Sequence, residues 1–459
     1  MSKILVLIVT ILVLCSCSLV PKYHTPQIPL PKVDNVSDNR SGEYKDSKWW
    51  YSFEDKYLNE LIDKALANND DINLAIARVE EAYALYGISS SELYPDITAS
   101  GVSGRNQLSK NYNETTKGPN NNLSFVGQVS YEIDLWGKLK NRKESNFEKL
   151  LSLQATRDTV KQTIISNVAS TYINLIAIQN QCKLTEDISK KFYEIYLYKS
   201  KQFKHGVVDA LEVEQAKAQY NYAKTLIDSL NQSKINIISG LSILIGNTPK
   251  ELFETNFFTS QTFPKPLKIQ PFISSKVLET RPDIIASEHL LKSANINIGV
   301  AKAAYFPTIS LTGVFGFQSR ELDNLIESPS QLWNIGGSLF QSVFDFGRRS
   351  GSIKVAEAQR REALIKYIQT VKIAFKEIFD SLNSINQITT KIKNQKDYIL
   401  SLSRVLQLSE KQFEIGTVDY LTVLDAEEKL LNSKLNLIKF ESELINYQIL
   451  FYKSLGVGF

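Results

Sequence analysis

Leu123-Ser124-Phe125-Val126-Gly127-Gln128-Val129-Ser130-Tyr131-Glu132-Ile133-Asp134-Leu135 alternates apolar and polar residues with little interruption. Leu123, Phe125, Val129, Tyr131, Ile133 and Leu135 share one parity; Ser124, Gln128, Ser130, Glu132 and Asp134 share the other. A period of two means a strand with one apolar and one polar face. Directly after it, from Lys138 to about Lys204, no proline occurs, and Val160, Ile164, Val168, Tyr172 and Leu175 recur at helical spacing. An unbroken helix of that span would run roughly 100 Å. Ordinary globular helices are far shorter, so a strand of this kind beside a helix of this length excludes a compact globular domain.

The same pair of signals occurs again. Ile309, Leu311, Phe315 and Phe317 alternate with Thr308, Ser310, Thr312 and Gln318. From Arg348 to about Glu414, Leu364, Ile368, Val371, Phe375, Ile378, Leu382 and Ile385 alternate at three and four residues, a heptad-like seam. Weaker, glycine-containing strand signals lie near Ile97–Gly104 and Trp333–Val343. Short motifs also repeat in order: Tyr94-Pro95-Asp96-Ile97 with Phe306-Pro307-Thr308-Ile309, and Asp134-Leu135-Trp136-Gly137-Lys138 with Asp345-Phe346-Gly347-Arg348. Lys201-Gln202-Phe203 with Gly206, Val208 and Asp209 returns as Lys411-Gln412-Phe413 with Gly416, Val418 and Asp419. The chain therefore reads as a duplication. Each half is expected to run helix, strand, strand, helix, helix, over 49–246 and 276–459, with a loop-rich linker at 247–275.

Four strands of about ten residues suit a transmembrane barrel by length and alternation. They cannot close one alone, because the smallest single-chain barrels need about eight. A bilayer tolerates no open sheet edge, so strands that span lipid here require several copies of the chain.

The amino terminus reads as an address. Lys3 precedes the apolar run Ile4–Leu14, too short to span a bilayer and suited to a signal h-region. Leu14-Cys15-Ser16-Cys17 resembles a bacterial lipobox. That resemblance implies a signal at 1–16, a lipid on Cys17 and an extended, proline-rich tether over 17–48. Ser18 rather than Asp after Cys17 favours the outer membrane.

Composition removes other classes. The chain has 459 residues, 43% hydrophobic and 22% charged, which excludes wholesale disorder. Lys+Arg 53 against Asp+Glu 49 leaves +4, with no strong field to draw nucleic acid. Three cysteines cannot staple such a chain, and three scattered histidines, His24, His205 and His289, form no zinc motif. No metal or other cofactor is expected. No GxSxG, HExxH or phosphate loop is present, so no catalytic residue is assigned. The soft ligands that copper or silver prefer are almost missing, with one methionine in the whole sequence.

Several words recur from a known family: Trp49-Trp50, Ser130 to Lys138, Arg281-Pro282-Asp283-Ile284, Phe344 to Arg348, and Tyr420-Leu421-Thr422-Val423-Leu424-Asp425-Ala426. In this order they resemble the TolC-like outer membrane factors, specifically the lipoprotein branch of tripartite efflux systems. The resemblance covers essentially the whole mature chain. It implies an internally duplicated α+β membrane protein: a homotrimer whose chains each give four strands to a 12-stranded transmembrane β-barrel. The long coiled-coil helices would form a periplasmic α-barrel. It further implies passive efflux of small molecules, fed by an inner-membrane RND-type pump through a periplasmic adaptor. Two alternatives stay open: a duct for type I protein secretion, and a coiled-coil adaptor lipoprotein.

Gly206 and Gly416 can take the left-handed conformation that ends a helix, and Asp209 and Asp419 suit the N-caps that follow. Glu212, three after Asp209, completes a capping box, whereas Thr422 replaces the glutamate in the second copy. By resemblance these hairpins, with Val208 and Val418, form the tip that touches the adaptor. Asp425 matches an aspartate that rings the aperture, and Leu421 an apolar constriction; Glu212 is a candidate contributor from the other hairpin. Glu428 stands where some relatives carry a basic residue that ties the tip shut. Trp136 and Trp333, at strand ends, read either as membrane-interface aromatics or as core packing.

Overall fold

A computed structural model describes residues 19–26, 28, 48–107, 109, 111, 118–254, 262–267 and 280–458. Cys17, the signal, most of the tether and much of the linker lie outside these residues. The chain divides into two compact units. One takes Arg78–Gln154 and Ala286–Ile368 with the described part of Met1–Ile28; the other takes Ala155–Ile285, Gln369–Phe459 and the described part of Pro29–Ala77.

The first unit holds the sheet. Strands β1 (Asp96–Asn106), β2 (Asn120–Ile133), β3 (Thr308–Ser319) and β4 (Gln331–Phe340) lie in the order β1-β2-β3-β4, each pair antiparallel. The register sets Ile97 opposite Val129, Phe125 opposite Phe317, Phe315 opposite Trp333, and Ile309 opposite Leu339. One face is thus apolar across all four strands, and Ile97, Phe125, Phe315, Trp333, Ile335 and Leu339 are exposed on it. The other face pairs Thr98 with Gln128, Ser124 with Gln318, and Ser310 with Ser338. In water an apolar patch of this kind invites association; in lipid it is the expected outer face. Gly316 lets β2 and β3 meet, since a Cβ there would stand 2.6 Å from Val126 Cα.

Both strand-to-helix junctions use an aspartate. Asp134 accepts the N–H groups of Leu139 and Lys140 at 3.1 and 2.8 Å, opening α3 (Lys138–Lys204). Asp345 accepts from Gly347 and Arg349 to open α7 (Arg348–Glu414). No helix among the described residues is long and apolar enough to cross a membrane.

The second unit is a helical core. Trp49 and Trp50 are almost fully buried, and Trp49 stacks on Tyr452 at 5.7 Å. Asp55 caps α1 (Lys56–Asn68) and accepts the Tyr172 hydroxyl at 2.9 Å. Arg281 donates to Asp283, Glu377 and the Ser454 carbonyl oxygen, all within 3.0 Å. Burial opposes its charge, but the two carboxylates hold its pKa above the ordinary value.

Element lengths repeat. α2 (Asp70–Ser91) and α6 (Pro282–Ala303) have 22 residues, α3 and α7 have 67, and α4 (Ala210–Leu244) and α8 (Tyr420–Ser454) have 35. Two details depart from the sequence expectation. Among the described residues two α-helices, not one, precede β1, because Asn69 caps α2 through Ile72 N–H and ties to the Leu244 carbonyl oxygen. The linker is not all loop: α5 (Pro249–Glu254) starts from a reciprocal box, in which Thr248 N–H donates to Glu251 and Glu251 N–H donates to Thr248.

Candidate functional site

The two hairpins, α3–α4 and α7–α8, end in the same backbone device. Gly206 has φ +71 and Gly416 φ +74, a region that costs little only for glycine. Gly206 N–H donates to Phe203 and Val207 N–H to Gln202, each at 2.9 Å; Gly416 and Thr417 repeat this on Phe413 and Gln412. These paired bonds close both helices as Schellman motifs. Asp209 then accepts Glu212 N–H at 3.0 Å, and Asp419 accepts Thr422 N–H at 3.0 Å and its hydroxyl at 2.7 Å. The Thr422 hydrogen bonds lower the Asp419 pKa. Gly206, Asp209, Gly416 and Asp419 are exposed, while Val208 and Val418 are half-buried.

The capping box at the first hairpin is only half made. Among the described residues the Glu212 carboxylate does not reach back to Asp209. It accepts from Lys199 Nζ at 2.6 Å instead. Lys199 was not among the residues expected from sequence. Its side chain is 6% exposed, and its ammonium lies 4.5 Å from the ring centroids of both Phe413 and Tyr420. A cation of the first hairpin therefore sits on two aromatic faces of the second. Around it Ala216, Tyr420, Val423 and Leu424 form a buried cluster, with Ile195, Tyr196, Leu406 and Phe413 packed against it.

Asp425 and Leu421 project from the same stretch of α8, and both are exposed. Lys429 Nζ donates to Asp425 at 2.6 Å, one turn on, and this bond raises the lysine pKa. Glu428, between them, is exposed. Glu427 faces the other way, with Oε2 sealed from solvent and without a hydrogen-bond partner among the described residues. Burial, then the like charge of Glu410, push its pKa up to about 7, against the opposing pull of Lys191. Burial also pushes the Tyr420 hydroxyl above its ordinary value.

At the sheet, the two tryptophans differ. Trp333 is 73% exposed on the apolar face, opposite Phe315. Trp136 is half-buried, stacks on Phe306 at 4.6 Å and donates its indole N–H to the Pro307 carbonyl oxygen at 2.8 Å. It fastens the exit of β2 to the entry of β3. No group of three or more potential metal ligands occurs among the described residues.

A two-edged, one-face-apolar sheet joined to two helical hairpins of 67 and 35 residues is the subunit fold of a TolC-like outer membrane channel. The chain belongs to the outer membrane efflux protein family, which matches residues 61–247 and 273–457. It is 30% identical over 451 residues to the cation efflux system protein CusC of Escherichia coli (strain K12), covering 97% of each chain. It is 30% identical over 454 residues to the probable outer membrane lipoprotein SilC of Salmonella typhimurium, covering 98% of this chain and 97% of that one. The solved Campylobacter jejuni CmeC outer membrane channel superposes with a TM-score of 0.88 at 28% identity, over 96% of this chain and 95% of that one. A crystal structure of CusC gives 0.86 at 28% identity, over 96% and 100%. The chain is an outer membrane efflux channel component extending into the periplasm, not an enzyme. As part of an efflux system it works with an adaptor and an inner-membrane pump.

Proposed function

We propose that three copies of this chain, held to the outer membrane by a lipid on Cys17, form a passive duct for small molecules expelled by an RND-type pump. The observation that carries this reading is the sheet. Among the described residues its four strands leave β1 and β4 with open edges, and one face carries Ile97, Phe125, Phe315, Trp333, Ile335 and Leu339 exposed. Three chains of four strands close a barrel of twelve, which removes the edges and gives the apolar face to lipid. The lipoprotein name of SilC supports the anchor. The division into signal 1–16, tether 17–48, repeats 49–246 and 276–459, and linker 247–275 belongs to the same reading.

In this duct the hairpins make the periplasmic tip. Gly206, Val208, Asp209, Gly416, Val418 and Asp419 present it to the adaptor. Three copies of Asp425 and Leu421 surround the aperture, with Glu212 setting the first hairpin through Lys199. Carboxylates around a narrow pore attract cations and repel one another. Trp333 belongs to the interfacial girdle, while Trp136 locks a strand junction. The relatives' names cover cations and toluene, which fits a duct whose cargo is chosen by its pump.

The test is planar-bilayer conductance of the detergent-extracted protein, with the oligomer mass measured on the same sample. A trimer with small, cation-selective openings is expected. A monomer without conductance, or a different copy number, overturns the reading.

A further inference from the structure

We infer that Glu427 makes the closed tip responsive to protons, loosening the second hairpin as its surroundings become alkaline. The inference rests on the tip reading above but concerns a residue that the aperture does not use.

Glu427 lies on the same side of α8 as Val423 and Leu424, one turn on, and so adjoins the buried cluster. Every neighbouring element contributes a group. Glu410 faces it from α7, Lys191 from α3 and Tyr420 from α8 itself; Glu212 of α4 acts on the same tyrosine. Lys199 is engaged by Glu212 and the two rings. The Tyr420 hydroxyl, like Glu427 Oε2, has no hydrogen-bond partner among the described residues. A neutral carboxyl suits this place. An ionised one sets a charge against apolar side chains and against Glu410, with Lys191 as the opposing cation.

The sign follows from linkage. In the packed tip the proton stays on up to about pH 7, whereas the ordinary carboxyl value is 4.5. The packed state therefore binds the extra proton between those limits. Its stability is full below the ordinary value, falls as pH rises towards 7, and is level above it. If opening returns the carboxyl to water, the open-to-closed ratio rises about tenfold from pH 6 to pH 8. The matching position of the first repeat is Lys217, so only one hairpin carries the device.

The experiment is single-channel recording of the purified protein at pH 6 and pH 8. Wild type is expected to open about tenfold more often at pH 8. Glu427→Gln is expected to stay at the pH 6 level throughout, and Glu410→Gln to show a smaller rise. Imidazoles titrate in the same window, so His205→Asn, at the exposed first turn, is the control and keeps the wild-type rise. A conducting wild type without a pH response overturns the inference, as does a rise that survives in Glu427→Gln. A protein that never conducts strikes the channel reading instead. Spin labels on Val207→Cys and Ile415→Cys, both exposed, then decide the matter separately, since Cys182 is buried. A distance distribution that broadens at pH 8 while Glu427 is intact, but not when the Glu427→Gln substitution is added, supports it; identical distributions at both pH values overturn it.

Discussion

Replacing Lys199 with Met separates two ways of holding the hairpins together. The Lys199–Glu212 bond, at 2.6 Å, lies within the first hairpin, while the contacts with Phe413 and Tyr420, at 4.5 Å, cross to the second. Parting the hairpins therefore breaks the aromatic contacts and leaves the ion pair whole. A desolvated cation on an aromatic face contributes on the order of 1–2 kcal/mol, and Lys199 has two such faces. Methionine keeps some contact with the rings through its sulfur, so the net loss is about 2 kcal/mol, or roughly thirtyfold in the open-to-closed ratio. Removing the cation also leaves Glu212 partly buried and unpaired, at 26% exposure, which weakens the first hairpin in both states. Glu212→Gln is the informative contrast: it removes the ion pair and keeps the cation on the rings. Single-channel recording is expected to give Lys199→Met roughly thirtyfold more open time, and Glu212→Gln a change within about threefold. Equal opening in the two variants would show that the ion pair holds the tip, and no change in Lys199→Met would refute the clasp altogether.

Other outcomes follow from the same geometry. Asp425→Ala is expected to raise single-channel conductance and reduce cation selectivity; if both stay at wild-type values, the aspartate has no gating role. Arg281→Met takes the cation from Asp283 and Glu377, which at 27% and 37% exposure keep some contact with water, at a cost of about 2–3 kcal/mol. Circular dichroism in detergent should show an unfolding midpoint lower by roughly 2–3 °C, and an unshifted midpoint contradicts the energetic weight given to this knot. Gly316→Leu forces a side chain against the β2 backbone, so refolding into liposomes should yield little trimer; normal yield would mean that β2 and β3 separate more easily than their register suggests.

The long helices were legible because their limits are local chemistry. Lys138 and Arg348 follow glycines that end a strand turn, and Gly206 and Gly416 stop the helices with positive φ. β2 and β3 were legible through their alternation. β1 and β4 were weaker because Gly101, Gly104, Gly336 and Gly337 interrupt it, and only pairing with β2 and β3 completes the apolar face. The break at Asn69 and the helix at Pro249 depend on single side-chain bonds within otherwise ordinary polar stretches. Lys199, Phe413, Tyr420 and Glu427 were invisible for a different reason: each acquires its environment from a helix distant in sequence.

A clue was present all the same, in how the two halves differ. Residues that shape the turns agree between the repeats: Gly206 with Gly416, Val208 with Val418, Asp209 with Asp419. Phe203 with Phe413 agrees too, but the other residues that carry charge or rings at the tip do not: Lys199 aligns with Ser409, Ala210 with Tyr420, Gln215 with Asp425, and Lys217 with Glu427. Turn geometry is a backbone requirement, which either copy must meet to fold as a hairpin. An interlock between two copies has the opposite requirement, because a cation needs an aromatic face or a carboxylate opposite it and not a second cation. A duplicated hairpin that closes on its own copy must therefore become unequal at the contact, and the unequal positions mark where the contact lies.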